Sequence, residues 1–186
     1  MGIVQISFLV FIQAFYALTI YLDSLSEGFD AVKSIIYHVT YAFLYISVLL
    51  LIRRILSKDK ILRNNVLWII RLEGIKASGN ILLAIGIYYA AIFVFACSIV
   101  LAVFYILSMV RILSDRNTGR SEIRQLGPVM ISIVVCIILA TTGGWYAPYD
   151  RVKDIYGITN LIMAVPFILL IFYFKNLKNK QLSVRV

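Results

Sequence analysis

The chain has 186 residues, of which 62% are hydrophobic and 15% charged, and its mean hydropathy is +0.94. Soluble domains carry roughly a quarter charged and about half apolar residues. The composition therefore excludes an ordinary soluble domain, a disordered chain, collagen and a disulfide-stapled scaffold. It predicts an all-α, polytopic transmembrane helical bundle forming one domain over 1–186. Lys and Arg total 18 against 9 Asp and Glu, a formal charge of +9. The basic residues lie between apolar runs, so they read as a topology signal that also meets anionic headgroups, with no nucleic acid expected as a partner.

Five stretches contain no Asp, Glu, Lys or Arg: Met1–Leu22, Ser34–Ile52, Ala77–Val110, Gln125–Tyr149 and Ile155–Phe174. A helix crosses a ~30 Å hydrocarbon core with about 20 apolar residues. The runs are continuous rather than alternating, which points to helices and not to a β-barrel. They predict five spans at about 3–22, 34–52, 79–110, 127–147 and 155–174, joined in part by a basic interfacial loop over 53–76. The first run lacks a positive n-region and a small-residue cleavage site, so it reads as an uncleaved span. The fourth starts at Gly127-Pro128 and ends near Gly143-Gly144, with Trp145, Tyr146 and Tyr149 suited to the headgroup zone. Pro166 predicts a kink in the fifth.

The charges of the loops conflict with five crossings. Asp23, Glu27, Asp30 and Lys33 make the first loop net −2, whereas the second, from Arg53 to Lys76, holds seven basic residues against Asp59 and Glu73. The third, with Arg111, Arg116, Arg120 and Arg124, and the tail, with Lys175, Lys178, Lys180 and Arg185, are also basic. Loops two and three and the tail all favour the cytoplasm, yet one crossing between the two loops puts them on opposite sides. The conflict sits in Ala77–Val110, 34 residues long, which as one helix would reach about 51 Å. No Gly or Pro lies between Ile87 and Val110, so one overlong third helix is expected. A hairpin near Phe93–Ser98, or a sixth crossing by Asn64–Ser78, is the alternative. That crossing would bury Arg71, Glu73 and Lys76 at roughly 2.5–3.5 kcal/mol for each charge near the bilayer centre. Ile61–Ile70 reads as an interfacial amphipathic helix.

Few polar groups lie at lipid depth. Tyr37, Tyr41 and Tyr45 are spaced i, i+4, i+8 with His38 at the edge of the same face. With Gln13 on the first span, His38, Tyr41 and Tyr45 form a candidate polar seam, either hydrogen-bonded helix glue or a solute path. Gly86-x-x-x-Ala90 and Ser98-x-x-x-Ala102 are candidate helix-packing pairs. Arg53, Arg54, Lys58, Lys60 and Arg63 are candidate contacts for anionic lipid. Cys97 and Cys136 sit inside apolar runs and read as buried hydrophobes. No nucleotide-binding or hydrolase motif occurs, and the single histidine excludes bis-histidine haem ligation within this chain. No cofactor and no metal site are expected. The function expected is that of a non-catalytic subunit or scaffold of a larger membrane complex. A small oligomeric transporter or channel is the alternative, and a lipid- or quinone-handling enzyme the second. The expected partners are the lipid bilayer and either other membrane subunits or further copies of the chain. The basic loops and tail are expected in the cytoplasm.

Overall fold

The computed structural model describes residues 2–24, 31–56, 59–114, 121–146 and 152–183. Of these, 94% are helical and none lies in a strand. The helices are α1 (Gly2–Ser24), α2 (Ala31–Ile55), α3 (Lys60–Ala84), α4 (Ala90–Ser114), α5 (Ser121–Arg124), α6 (Leu126–Tyr146), α7 (Val152–Ile162) and α8 (Ala164–Ser183). Among the described residues, the stretches Gly2–Ile20, Ala31–Ile55, Ala90–Ser114 and Gly157–Asn179 are long and apolar enough to cross a membrane. Their outward faces support that location. Phe8, Phe11, Phe15, Ile36, Phe43 and Phe172 are each more than half exposed, far more continuous apolar surface than a soluble monomer shows.

The third predicted span is not one helix. α3 ends at Ala84, and a turn over 85–89 reverses the chain into α4. The reason is Gly86, whose φ is +92°. The N–H of Gly86 donates to the Leu83 carbonyl at 3.0 Å and that of Ile87 to the Leu82 carbonyl at 2.9 Å. This pair of bonds closes a helix only when the residue after the cap adopts a left-handed conformation, which glycine does without steric cost. The basic loop also differs from expectation. Asp59 accepts hydrogen bonds from the N–H groups of Ile61 and Leu62, both at 3.0 Å, and so caps a 25-residue helix from Lys60 onward. Ile61–Ile70 is thus the first part of α3. Leu62, Val66 and Ile69 are buried at its inner side.

The fifth predicted span is interrupted at Met163, between α7 and α8. Pro166 has no N–H to offer the Ile162 carbonyl four residues earlier. That carbonyl instead faces the Cys136 thiol of α6, which donates to it at 3.7 Å. The remaining spans match α1, α2 and α6 closely, although the side chains of Trp145 and Tyr146 and residues 147–151 lie outside the described part.

Packing follows chain order around a ring. α1 packs on α2, α2 on α3, α3 on α4, α4 on α6, and α6 on α7 and α8, which return to α1. Short connections make sequence neighbours antiparallel. Arg111 at the end of α4 meets Asp59 at the start of α3, with Nε to Oδ2 at 3.4 Å. At the opposite end Tyr16 of α1 donates to Ser34 of α2 at 3.2 Å. The α2–α3 connection, the end of α4 and the end of α8 therefore share one end of the ring, here the basic end. The α3–α4 turn lies at the other.

Candidate functional site

A cavity of about 580 Å³ occupies the ring interior toward the end that carries the α3–α4 turn. Five helices send polar groups into its wall. α1 contributes Gln13 and Tyr16, α2 contributes Tyr37, His38 and Tyr41, α3 contributes Glu73, Lys76 and Asn80, α4 contributes Ser98, and α7 contributes Thr159 and Asn160. On α3 the spacing 73, 76, 80 is that of one helix face. Small residues make the room: Ala42, Ala77, Ala84 and Ala140 also line the space. The cavity reaches the helix ends, where Lys33 and Ala91 of its lining are exposed.

One side of the cavity is held by a hydrogen-bonded cluster. The Tyr37 hydroxyl lies 2.8 Å from Gln13 Oε1 and 3.0 Å from the Asn160 side-chain amide. A phenol has one proton to donate. The two amide oxygens, Gln13 Oε1 and Asn160 Oδ1, therefore share it. The Tyr37 ring stacks on Tyr16 with centroids 3.6 Å apart, and the His38 ring sits edge-on to Tyr37 at 5.0 Å. Three helices, α1, α2 and α7, are tied together by these contacts.

The opposite side carries charge. Glu73 is only 8% exposed, and among the described residues its carboxyl has no hydrogen-bond or ion-pair partner. It lies within electrostatic reach of Tyr41, Tyr45, Tyr105 and Lys76. Lys76, one turn nearer the α3–α4 turn, is half-buried and likewise makes no ion pair among the described residues. Toward the basic end the cavity is closed. There Tyr45 and Tyr105 hydrogen-bond through their hydroxyls, and Phe167 meets the Tyr45 ring edge-on at 5.4 Å.

The structure brings three of the four seam residues to this cavity: Gln13, His38 and Tyr41. Tyr45 lies below it, buried in the closing layer. Ser98 is buried in the cavity wall, and Ala102 packs against the core one turn further on. Gly86 and Ala90 do not form a helical pair, because Gly86 belongs to the turn. The close α3–α4 approach occurs instead at Gly79, where an added Cβ would lie 2.6 Å from Val94 Cγ2. The basic candidates Arg53, Arg54, Lys60 and Arg63 gather where α2 ends and α3 begins; Lys58 lies outside the described residues. Sequence reasoning missed Glu73, Lys76 and Asn80 as site residues. Their signal was the i, i+3, i+7 spacing, hidden because the segment read as a loop.

Compared with known proteins, the chain matches no family model, no curated protein and no solved structure. Its function must be argued from the cavity itself. The groups there can bind and orient a polar solute by hydrogen bonds and charge. Among the described residues, no three His, Cys, Asp or Glu side chains are grouped as a metal site.

Proposed function

We propose that this is a six-crossing membrane protein that binds a small polar solute inside the bilayer and serves its transport. α1, α2, α3, α4, α6 and the α7–α8 pair are the six crossings. This count is supported by charge as well as length. α3 has 25 residues and reaches about 37 Å, and with it as a crossing both basic loops and the basic tail share one side. The positive-inside rule makes that side cytoplasmic, together with the N-terminus. The cavity then opens away from the cytoplasm. The observation that carries the reading is the unpartnered carboxylate of Glu73 facing a 580 Å³ space. Ionisable groups at membrane depth are costly and face water-filled or ligand-filled interiors, and the volume is that of a ligand site.

Cysteine accessibility tests this. In a background with Cys97→Ala and Cys136→Ala, Asn80→Cys and Ser98→Cys are expected to react with a membrane-impermeant cationic thiosulfonate added from the extracytoplasmic side. Leu101→Cys, in the closed layer, is expected to stay unreactive. Failure of both cavity positions to react from that side would remove the reading.

One observation favours a second reading, membership of a larger membrane complex. The outward face of α3 carries Asn64, Trp68, Arg71, Ile75 and Ser78, all exposed and spaced alternately by four and three residues. The Arg71 guanidinium rests 5.0 Å from the centre of the Trp68 ring. An arginine facing lipid near mid-helix costs roughly 2.5–3.5 kcal/mol. A neighbouring transmembrane helix bearing a carboxylate would offset that cost. Native mass spectrometry after mild-detergent extraction is expected to show other, larger chains bound, and Arg71→Leu to release them. A chain that runs alone or only with copies of itself counts against this assembly.

A further inference from the structure

We propose that the solute taken by the cavity is a zwitterion, with its ammonium group at Glu73 and its acidic group at Lys76, an assignment that rests on the solute-binding reading above. Both side chains line the cavity from one face of α3. They stand three residues apart, a rise of about 4.5 Å along the axis. Oppositely charged residues at this spacing commonly pair, yet no ion pair joins them, and neither has another partner among the described residues. A carboxyl and an ammonium group thus stand side by side without a hydrogen-bond or ion-pair contact, one of them more than nine-tenths buried.

A ligand of single charge leaves one of the two uncompensated. A cation at Glu73 lies beside the Lys76 ammonium, and an anion at Lys76 lies beside the carboxylate. Desolvating an unpaired charge is what makes such arrangements unfavourable. A dipolar ligand satisfies both and adds no net charge to the membrane interior. Lys33, also in the lining, is exposed at the rim. The neighbouring wall on α2 suits the same ligand, because the Tyr41 ring presents aromatic surface on which an ammonium group is favourable. The volume exceeds what a zwitterionic head group needs. Val94, Phe95, Ile137 and Met163 complete the lining with apolar surface. The class indicated is an α-amino acid with a bulky apolar side chain.

Calorimetric titration of the full chain in lipid nanodiscs with three matched probes tests the assignment. Phenylalanine carries both charges, phenethylamine only the ammonium, and 3-phenylpropionate only the carboxylate. Phenylalanine is expected to bind at least about tenfold more tightly than either. Glu73→Gln should erase its advantage over 3-phenylpropionate, and Lys76→Gln its advantage over phenethylamine. The comparison on the unmodified chain needs no variant to fold. Equal binding of phenylalanine and phenethylamine would overturn the zwitterion and leave a solute site for cations. No binding of any probe, with Asn80→Cys still reactive, would overturn the zwitterion alone. No binding together with an unreactive Asn80→Cys would remove both readings.

Discussion

The two ends of the ring are built from the same helices and differ in the side chains those helices turn inward. Toward the basic end α2 supplies Tyr45, Val48, Leu49 and Ile52, α3 supplies Leu62, Val66 and Ile69, α4 supplies Leu101, Tyr105 and Ile112, and α8 supplies Phe167 and Leu170, all of them buried in one apolar cluster. Toward the other end α2, α3 and α4 supply Tyr37, His38, Glu73, Lys76, Asn80 and Ser98 around open space. Within a membrane, apolar burial does little to drive helices together; close packing and interhelical hydrogen bonds do that. The filled end therefore holds the bundle, which leaves the other end free to stay hollow.

The same substitution at the two ends gives the largest contrast. Leu101→Ala empties a fully buried site and is expected to cost on the order of 2 kcal/mol or more, because the surroundings collapse only partly. Leu83→Ala, in the cavity wall, is expected to cost less than about 1 kcal/mol, because it only enlarges a space already present. Thermal unfolding in detergent reads both, and equal losses would show that the two ends are packed alike.

Two glycines of α3 sharpen the comparison. Gly79→Ala must push against Val94 Cγ2 at 2.6 Å and Phe93 Cδ1 at 3.3 Å, with an expected loss of about 1–3 kcal/mol. Gly74→Ala meets nothing nearer than Ile46 Cδ1 at 4.0 Å and is expected to raise stability by up to about 1 kcal/mol through helix propensity. The hollow end then depends on one close helix contact beside the space rather than on filling it.

A further expected effect concerns the closing layer. Tyr45→Phe removes one hydroxyl and leaves that of Tyr105 buried without its partner. Interhelical hydrogen bonds of this kind are worth about 0.6–1.7 kcal/mol in membranes, so a loss near 1 kcal/mol is expected. Adding Tyr105→Phe should restore most of it, since two apolar rings leave no orphaned donor. A double variant no better than the single one would place the role of the pair outside this hydrogen bond.

Much of the fold was legible in the chain. Charge-free runs marked α1, α2, α4 and α6, and Pro166 marked the break between α7 and α8. The α3–α4 turn was not expected because no Gly or Pro follows Ile87 in the run, yet the single left-handed Gly86 just before it suffices to reverse a helix. α3 read as a loop because its charges interrupt the apolar pattern. Glu73 and Lys76 instead face an interior that no local window contains. Of the polar seam, Gln13, His38 and Tyr41 line the cavity, whereas Tyr45, its ring 5.6 Å from that of Tyr41, lies below it and bonds to a partner 60 positions away in sequence.

Composition and periodicity by themselves determined that the chain is helical, that several of its helices are long and apolar enough to cross a membrane, and where most of them run. Those properties follow from the transfer of side chains between water and lipid, which each residue carries with it. The closing of six rods into a ring, the filling of one end, and the meeting of Gln13 and Tyr37 with Glu73 and Lys76 across a cavity were decided only by tertiary structure. Which face of a helix meets protein rather than lipid depends on what its neighbours present, and that complementarity is a property of the assembled helices.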